Sequence, residues 1–75
     1  MYNRIKNLRI DRDLSQKEMA SVLNIAQTTY SDYELGKLNI PIVSLVKLAI
    51  FHKTSVDYLL NLTDEKRPYP KSKLI

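Results

Sequence analysis

Residues 15–36 read SQKEMASVLNIAQTTYSDYELG, and the spacing within them decides the fold. Ser15 followed three residues later by Glu18 is a capping box: the hydroxyl accepts from the Glu18 amide while the carboxylate accepts from the Ser15 amide. That predicts a helix starting at Gln16, with Met19, Ala20, Val22 and Leu23 as its apolar positions over about two turns. Asn24 tolerates left-handed backbone and is the expected terminator. Ile25 is apolar within the turn that follows. Gln27 to Leu35 then reads as another helix, placing Tyr30 and Tyr33 on one face and Gln27, Thr28, Ser31 and Asp32 on another. Gly36, the only glycine of the chain, closes it.

Working outward, Ile5 and Leu8 recur at helical spacing among Asn, Lys and Arg, which predicts an amphipathic first helix over roughly residues 2–12, after which Leu14 enters the core from a loop. Pro41 suits the first turn of a fourth helix carrying Leu45, Leu48, Ala49 and His52 at the helical period. Ser55 caps a short fifth helix that offers Val56, Leu59 and Leu60. From Thr63 onward Pro68, Pro70 and charge interrupt any pattern, so residues 63–75 read as a mobile basic tail behind a domain of residues 1–62. No strand pattern or internal repeat is visible. The fold class is all-α: five short helices in one small bundle.

Composition excludes several classes of function. Seventy-five residues leave room for one compact domain. The absence of Cys removes disulfides and thiolate metal sites, and His52, the only histidine, reads as a partly buried structural residue rather than a ligand or general base. One Gly and one His supply neither a phosphate-cradling loop nor a nucleophile–base pair, so no catalytic, metal or cofactor site is expected. No apolar run approaches a membrane span and the N-terminus lacks signal-peptide order, which predicts a cytoplasmic protein. The net charge of +4 invites a polyanionic partner. Lys66, Arg67, Lys71 and Lys73, set against Asp64 and Glu65, place half of that charge in the tail, where it is most simply a solubilising run.

Two short helices separated by a three-residue turn, residues 16–35, match a helix-turn-helix unit, in which the first helix braces and the second enters the major groove of DNA. Ala20 sits where the helices cross, and its small side chain permits close approach. On that reading Gln27 is the prime base reader, since its amide can donate and accept against adenine N6 and N7. Thr28 faces a thymine methyl or a base-edge acceptor. Asp32 selects cytosine N4 or excludes sequences by repelling phosphate, and Ser31 is a weaker reader. Tyr30 and Tyr33 are expected in the core rather than against bases. Gln16, Lys17 and Thr29 are expected at phosphates, Gln16 and Lys17 beside the amides that begin a helix.

These residues also resemble the Cro and phage-repressor family of XRE type over residues 3–62. The resemblance rests on L-S-Q-K-E-M-A from Leu14, Y-S-D-Y-E-L-G-K from Tyr30, the Pro41, Leu45, Leu48, Ala49 pattern and T-S-V-D-Y-L-L from Thr54. It implies a lambda-repressor-like bundle acting as a transcriptional regulator, a repressor above all. It also implies an Arg9–Glu34 pair that fixes the third helix against the scaffold, and places Lys37 and Asn39 against phosphates. The chain departs from the family at Asn24, where Gly is usual, at Ala26, where Ser, Thr or Asp is usual, and at His52, where an apolar residue is usual. Ala26 forfeits a side-chain cap typically worth about 1 kcal/mol.

A module this small covers only roughly 600–1,000 Å² of DNA, which predicts a homodimer on a two-fold site with half-sites about 34 Å apart. The apolar fifth helix and the Leu74–Ile75 end are candidate dimer surfaces, although Leu59 and Leu60 serve equally as core. The alternative in a different class is an antitoxin-like module whose chief partner is another protein and whose DNA binding is secondary.

Overall fold

A computed structural model of the chain describes residues 3–70. Five helices follow one another: α1 (Asn3–Asp11), α2 (Gln16–Leu23), α3 (Gln27–Leu35), α4 (Ile42–Phe51) and α5 (Val56–Leu59). No strand occurs among the described residues. Tyr2, Lys71, Lys73, Leu74 and Ile75, which entered the sequence-based expectations, lie outside them. Helix α2 packs on α3, α4 on α5 and on α2, and α1 spans α3 and α5.

All five helices stop the same way. A residue in the left-handed region follows each, and the next amide reaches back five residues to a carbonyl of the last turn. The left-handed residues are Asp13 (φ 56°), Asn24 (57°), Gly36 (75°), Lys53 (55°) and Asn61 (63°). The closing bonds are Leu14 to Arg9, Ile25 to Ala20, Lys37 to Asp32, Thr54 to Ala49 and Leu62 to Asp57, each N–H donating to C=O at 2.9–3.1 Å. This termination satisfies carbonyls that a helix end otherwise leaves orphaned. Only one of the five positions is glycine, so four carry the steric cost of a side chain there, least for the Asn and Asp positions and most for Lys53.

Helix starts are less uniform. The Ser15–Glu18 box is complete, the Glu18 amide donating to Ser15 Oγ at 3.0 Å and the Ser15 amide to Glu18 Oε1 at 2.9 Å. Ser15's amide holds the Glu18 carboxyl below the ordinary carboxylate range. Ser55 caps α5 through its hydroxyl, which accepts from the Tyr58 amide at 3.0 Å. Ala26 and Pro41 occupy the positions before α3 and α4 with extended ψ of 148° and 150° and no side-chain bond, so Pro41 precedes α4 rather than lying inside it.

The core draws Ile5 and Leu8 from α1, Met19, Ala20 and Leu23 from α2, Tyr30 and Tyr33 from α3, Leu45, Leu48 and Ala49 from α4, and Leu59 from α5. Each fully buried aliphatic side chain contributes about 1.5–3 kcal/mol from removal of apolar surface from water. Val22, counted among the apolar positions of α2, is exposed, because it falls on the side away from α3 and α4. Leu59 is wholly buried and Leu60 half-buried, which makes Leu59 core and withdraws it from any dimer surface. His52 lies one residue past α4 and is buried, with neither ring nitrogen hydrogen-bonded. Burial first, then the positive charges of Arg12 and Lys66, lower its pKa to about 4.

Residues 63–70 return across the bundle and are attached at several points. Arg4 donates to the carbonyls of Tyr58 and Thr63 and pairs with Asp64 at 2.8 Å, its guanidinium also lying 4.0 Å from the centre of the Tyr58 ring. Thr54 Oγ1 donates to the Lys66 carbonyl at 2.6 Å, and the Tyr69 hydroxyl donates to Asp57 Oδ2 at 2.7 Å. Composition predicts a mobile tail here. It does not report that Arg4, Thr54 and Asp57 come together in space to receive it.

Candidate nucleic-acid interface

Helix α3 divides cleanly around its axis. Tyr30, Tyr33 and Glu34 face inward and are buried, with Thr29 half-buried at the edge of that side. Gln27, Ser31, Leu35, Thr28 and Asp32 follow on an arc of about 140° at the helical rotation of 100° per residue. Gln27 and Thr28 are open to solvent, Ser31 and Asp32 half-buried. Leu35 was not among the residues singled out from sequence, yet it lies on the same arc and is exposed. Its position eight residues after Gln27 and four after Ser31 is the signal that finds it.

What holds that arc outward is an ion pair beneath it. Arg9 Nε donates to Glu34 Oε2 at 2.7 Å and Arg9 Nη2 to Oε1 at 3.1 Å, a two-pronged contact between α1 and the end of α3. Arg9 Nη1 also donates to the Leu14 carbonyl at 2.9 Å. The side chains are 13% and 3% exposed, so this pair belongs to the interior and not to the screened surface class. Gln16 Nε2 donates to Glu34 Oε1 at 3.0 Å and brings α2 into the same network. Burial alone would raise the Glu34 pKa; hydrogen bonds from Arg9 and Gln16 outweigh it and hold the carboxyl below its ordinary value. Arg9 is correspondingly raised by the Glu34 hydrogen bond. The Tyr30 hydroxyl is buried beside the pair without completing a well-aligned bond, and burial followed by the Glu34 charge pushes its ionisation far above the phenol range.

The expected phosphate contacts separate into two groups. Lys17, Lys37 and Asn39 are exposed, Lys17 in the first turn of α2 and the other two in the loop after α3. Gln16 points its amide inward to Glu34, because a buried carboxylate with one two-pronged partner still has lone pairs to satisfy. At the start of α2 the Glu18 carboxylate already answers the positive end of the helix, which leaves Lys17 as the group there suited to an anion. The start of α3 is different: Ala26 provides no side-chain acceptor, so no N-cap side chain bonds the first amides of that helix.

No helix among the described residues is long and apolar enough to cross a membrane, and no group of three or more His, Cys, Asp or Glu among them is placed to hold a metal ion. The surface thus offers hydrogen-bonding side chains on a rigid helix, flanked by lysines and an uncapped helix start.

Comparison with known proteins bears on what this pair of helices is. The family model described as Helix-turn-helix matches residues 5–59. The chain is 38% identical over 69 residues to YobD of Bacillus subtilis, named an uncharacterized HTH-type transcriptional regulator, covering 91% of this chain and 62% of that one. It is 32% identical over 59 residues to RstR of Vibrio cholerae, named a cryptic phage CTXphi transcriptional repressor, covering 79% and 53% respectively. A control protein, C.MunI, of Mycoplasma sp is 40% identical over 48 residues, 63% of this chain and 65% of that one. The chain thus spans between about half and two thirds of the length of these curated relatives. With the matched segment running from the first core residue of α1 to the last of α5 and enclosing the α2–α3 pair, the chain belongs to the helix-turn-helix family of XRE type.

Proposed function

We propose that the chain is a sequence-specific binder of double-stranded DNA that regulates transcription by laying α3 in the major groove. The observation that carries this is the division of α3. Its inner residues are buried and tied to α1 and α2 through Glu34, and its outer arc carries four hydrogen-bonding side chains, Gln27, Thr28, Ser31 and Asp32, around Leu35. Preorganised polar groups on a helix are what direct reading of base edges requires.

Gln27 reads adenine through its amide, and Thr28 contacts a thymine methyl or an acceptor beside it. Ser31 and Asp32 lie deeper along the arc, Asp32 accepting from cytosine N4 and repelling misplaced phosphate. Lys17, Lys37, Asn39 and the open amides that begin α3 bind phosphates, with Thr29 at the edge of that contact. These contacts set orientation; the outer arc sets sequence. Binding, not catalysis, is the activity, and its place is the cytoplasm. Two copies on a two-fold operator give the affinity that one module lacks. Repression, the action in the name of the Vibrio relative, follows from occupying such a site.

Selection from random duplex DNA followed by a salt titration of the winner tests this. The expected result is an enriched two-fold sequence whose affinity falls linearly in log–log form with salt and stays well above that for scrambled DNA. Enrichment of no sequence, with equal affinity for all duplexes, would refute it.

A further inference from the structure

One residue on the outer arc of α3 has no part in the readout proposed for it. Gln27, Thr28, Ser31 and Asp32 offer hydrogen-bonding groups; Leu35 offers none, yet it is 64% exposed. By helical rotation it lies near the middle of the arc, about 80° round from Gln27 and between Ser31 and Thr28. It follows Ser31 by four residues and Asp32 by three, so it adjoins both on the helix surface. Directly past it the chain turns at Gly36, where an added Cβ would meet nothing within 4 Å, so open space adjoins this end of the helix. A lone exposed leucine is ordinary on a protein surface. Among groups that meet base edges it is not, because whatever the arc meets must also meet the leucine.

The major groove presents three kinds of group: phosphates along its walls, the donors and acceptors of base edges, and the C5 methyl of thymine. Phosphate does not fit this turn. Asp32 repels it, and an isobutyl group strips water from an anion without replacing it. The exposed Lys37 and Asn39, past the Gly36 turn, are the groups suited to the wall. A base-edge donor or acceptor pressed against Leu35 loses its water and gains no partner, the costly case of an unpaired polar group. The methyl is the one groove group whose burial against a leucine is favourable. We propose that Leu35 is a specificity-determining residue that reads the C5 methyl of a pyrimidine, thymine in ordinary DNA. This rests on the proposed placing of α3 in the major groove. At a rise of 1.5 Å per residue Leu35 lies about 12 Å along the axis from Gln27, which sets its pyrimidine roughly three to four base pairs from the adenine that Gln27 reads. Leu35 therefore tells thymine from cytosine by the methyl alone, and accepts 5-methylcytosine as it accepts thymine.

The test uses the duplex selected by the wild-type chain, with each thymine replaced in turn by deoxyuridine, which removes the methyl and keeps the base pair's donors and acceptors. Affinity is read by fluorescence anisotropy at one salt concentration for the wild type, Leu35→Ala, Thr28→Ser and Leu62→Ala. The wild type is expected to lose about fourfold at one thymine of each half-site, the effect of withdrawing one methyl from an apolar contact. Leu35→Ala should bind the thymine duplex more weakly and become insensitive to deoxyuridine there. Thr28→Ser, which removes the other side chain expected at a methyl, should keep that sensitivity. Leu62→Ala, at an exposed leucine beyond α5, should behave as the wild type. For the wild type alone, 5-methylcytosine at the same position should bind about fourfold more tightly than cytosine. Leu35 is solvent-facing, so helical content by circular dichroism should be unaltered in its variant. An enriched duplex on which no thymine methyl matters, or on which the same methyl matters equally after Leu35→Ala, overturns the assignment and leaves the DNA reading standing. Enrichment of no duplex overturns both.

Discussion

Replacing Glu34 by Ala removes the one carboxylate that faces Arg9 in the interior. The guanidinium keeps its bond to the Leu14 carbonyl but loses two charge-assisted bonds at 2.7 and 3.1 Å, and Gln16 loses its acceptor at 3.0 Å. Because Arg9 is only 13% exposed, water cannot fully take over. Breaking a buried pair in this way costs about 3–5 kcal/mol, most of it the uncompensated charge left behind. A domain of this length is stable by about 4–11 kcal/mol at typical values per residue, so the loss is a large share of the total. Urea unfolding followed by far-ultraviolet circular dichroism measures it. The double variant Arg9→Met, Glu34→Leu is expected to recover at least half of the loss, since apolar groups of similar size remove the desolvation cost along with the attraction. A loss under about 1 kcal/mol for Glu34→Ala would place the pair in the weak, solvent-screened class. A double variant no more stable than the single would equally refute the reasoning.

His52 makes stability fall on mild acidification. Its folded pKa of about 4 lies below the ordinary 6.5, so the unfolded chain takes the proton first. Stability is therefore full above pH 6.5 and declines by up to about 3 kcal/mol as pH falls through 4. His52→Leu should flatten that window in pH-dependent thermal unfolding while leaving the lower step, where Glu34 protonates, in place. Ala26→Ser should raise stability by about 1 kcal/mol in urea unfolding, because the backbone at that position already has the extended geometry of a cap. Lys53→Gly should raise it by about 0.5–1 kcal/mol by the same measurement, since a φ of 55° strains a lysine and not a glycine.

Much of the fold was legible because the decisive signals are local. The Ser15–Glu18 box, Asn24 and Gly36 act on their own neighbours, and the structure starts α2 at the box and stops α2 and α3 at Asn24 and Gly36. The stop at Lys53 was not legible, because lysine has no preference for left-handed backbone that would announce it. Val22 was misplaced for a related reason: apolar character says that a side chain can be buried, not that the helix rotates it toward a partner. The outer arc of α3 came from periodicity. The inward turn of Gln16 did not, because it depends on a carboxylate eighteen residues away that needs another donor. The attachment of residues 63–70 to Arg4, Thr54 and Asp57 likewise joins distant positions that composition cannot connect.

The central claim is that α3 reads bases while the lysines around it hold phosphates. Binding of Gln27→Ala and Lys37→Ala to the selected duplex and to a scrambled one, each across a range of salt, tests it most directly. Gln27→Ala should lose about 1–3 kcal/mol on the selected duplex, relax preference at one base position and leave scrambled binding unchanged. Lys37→Ala should weaken both duplexes alike and reduce the salt slope by about one. Equal losses on both duplexes from both substitutions would contradict the account.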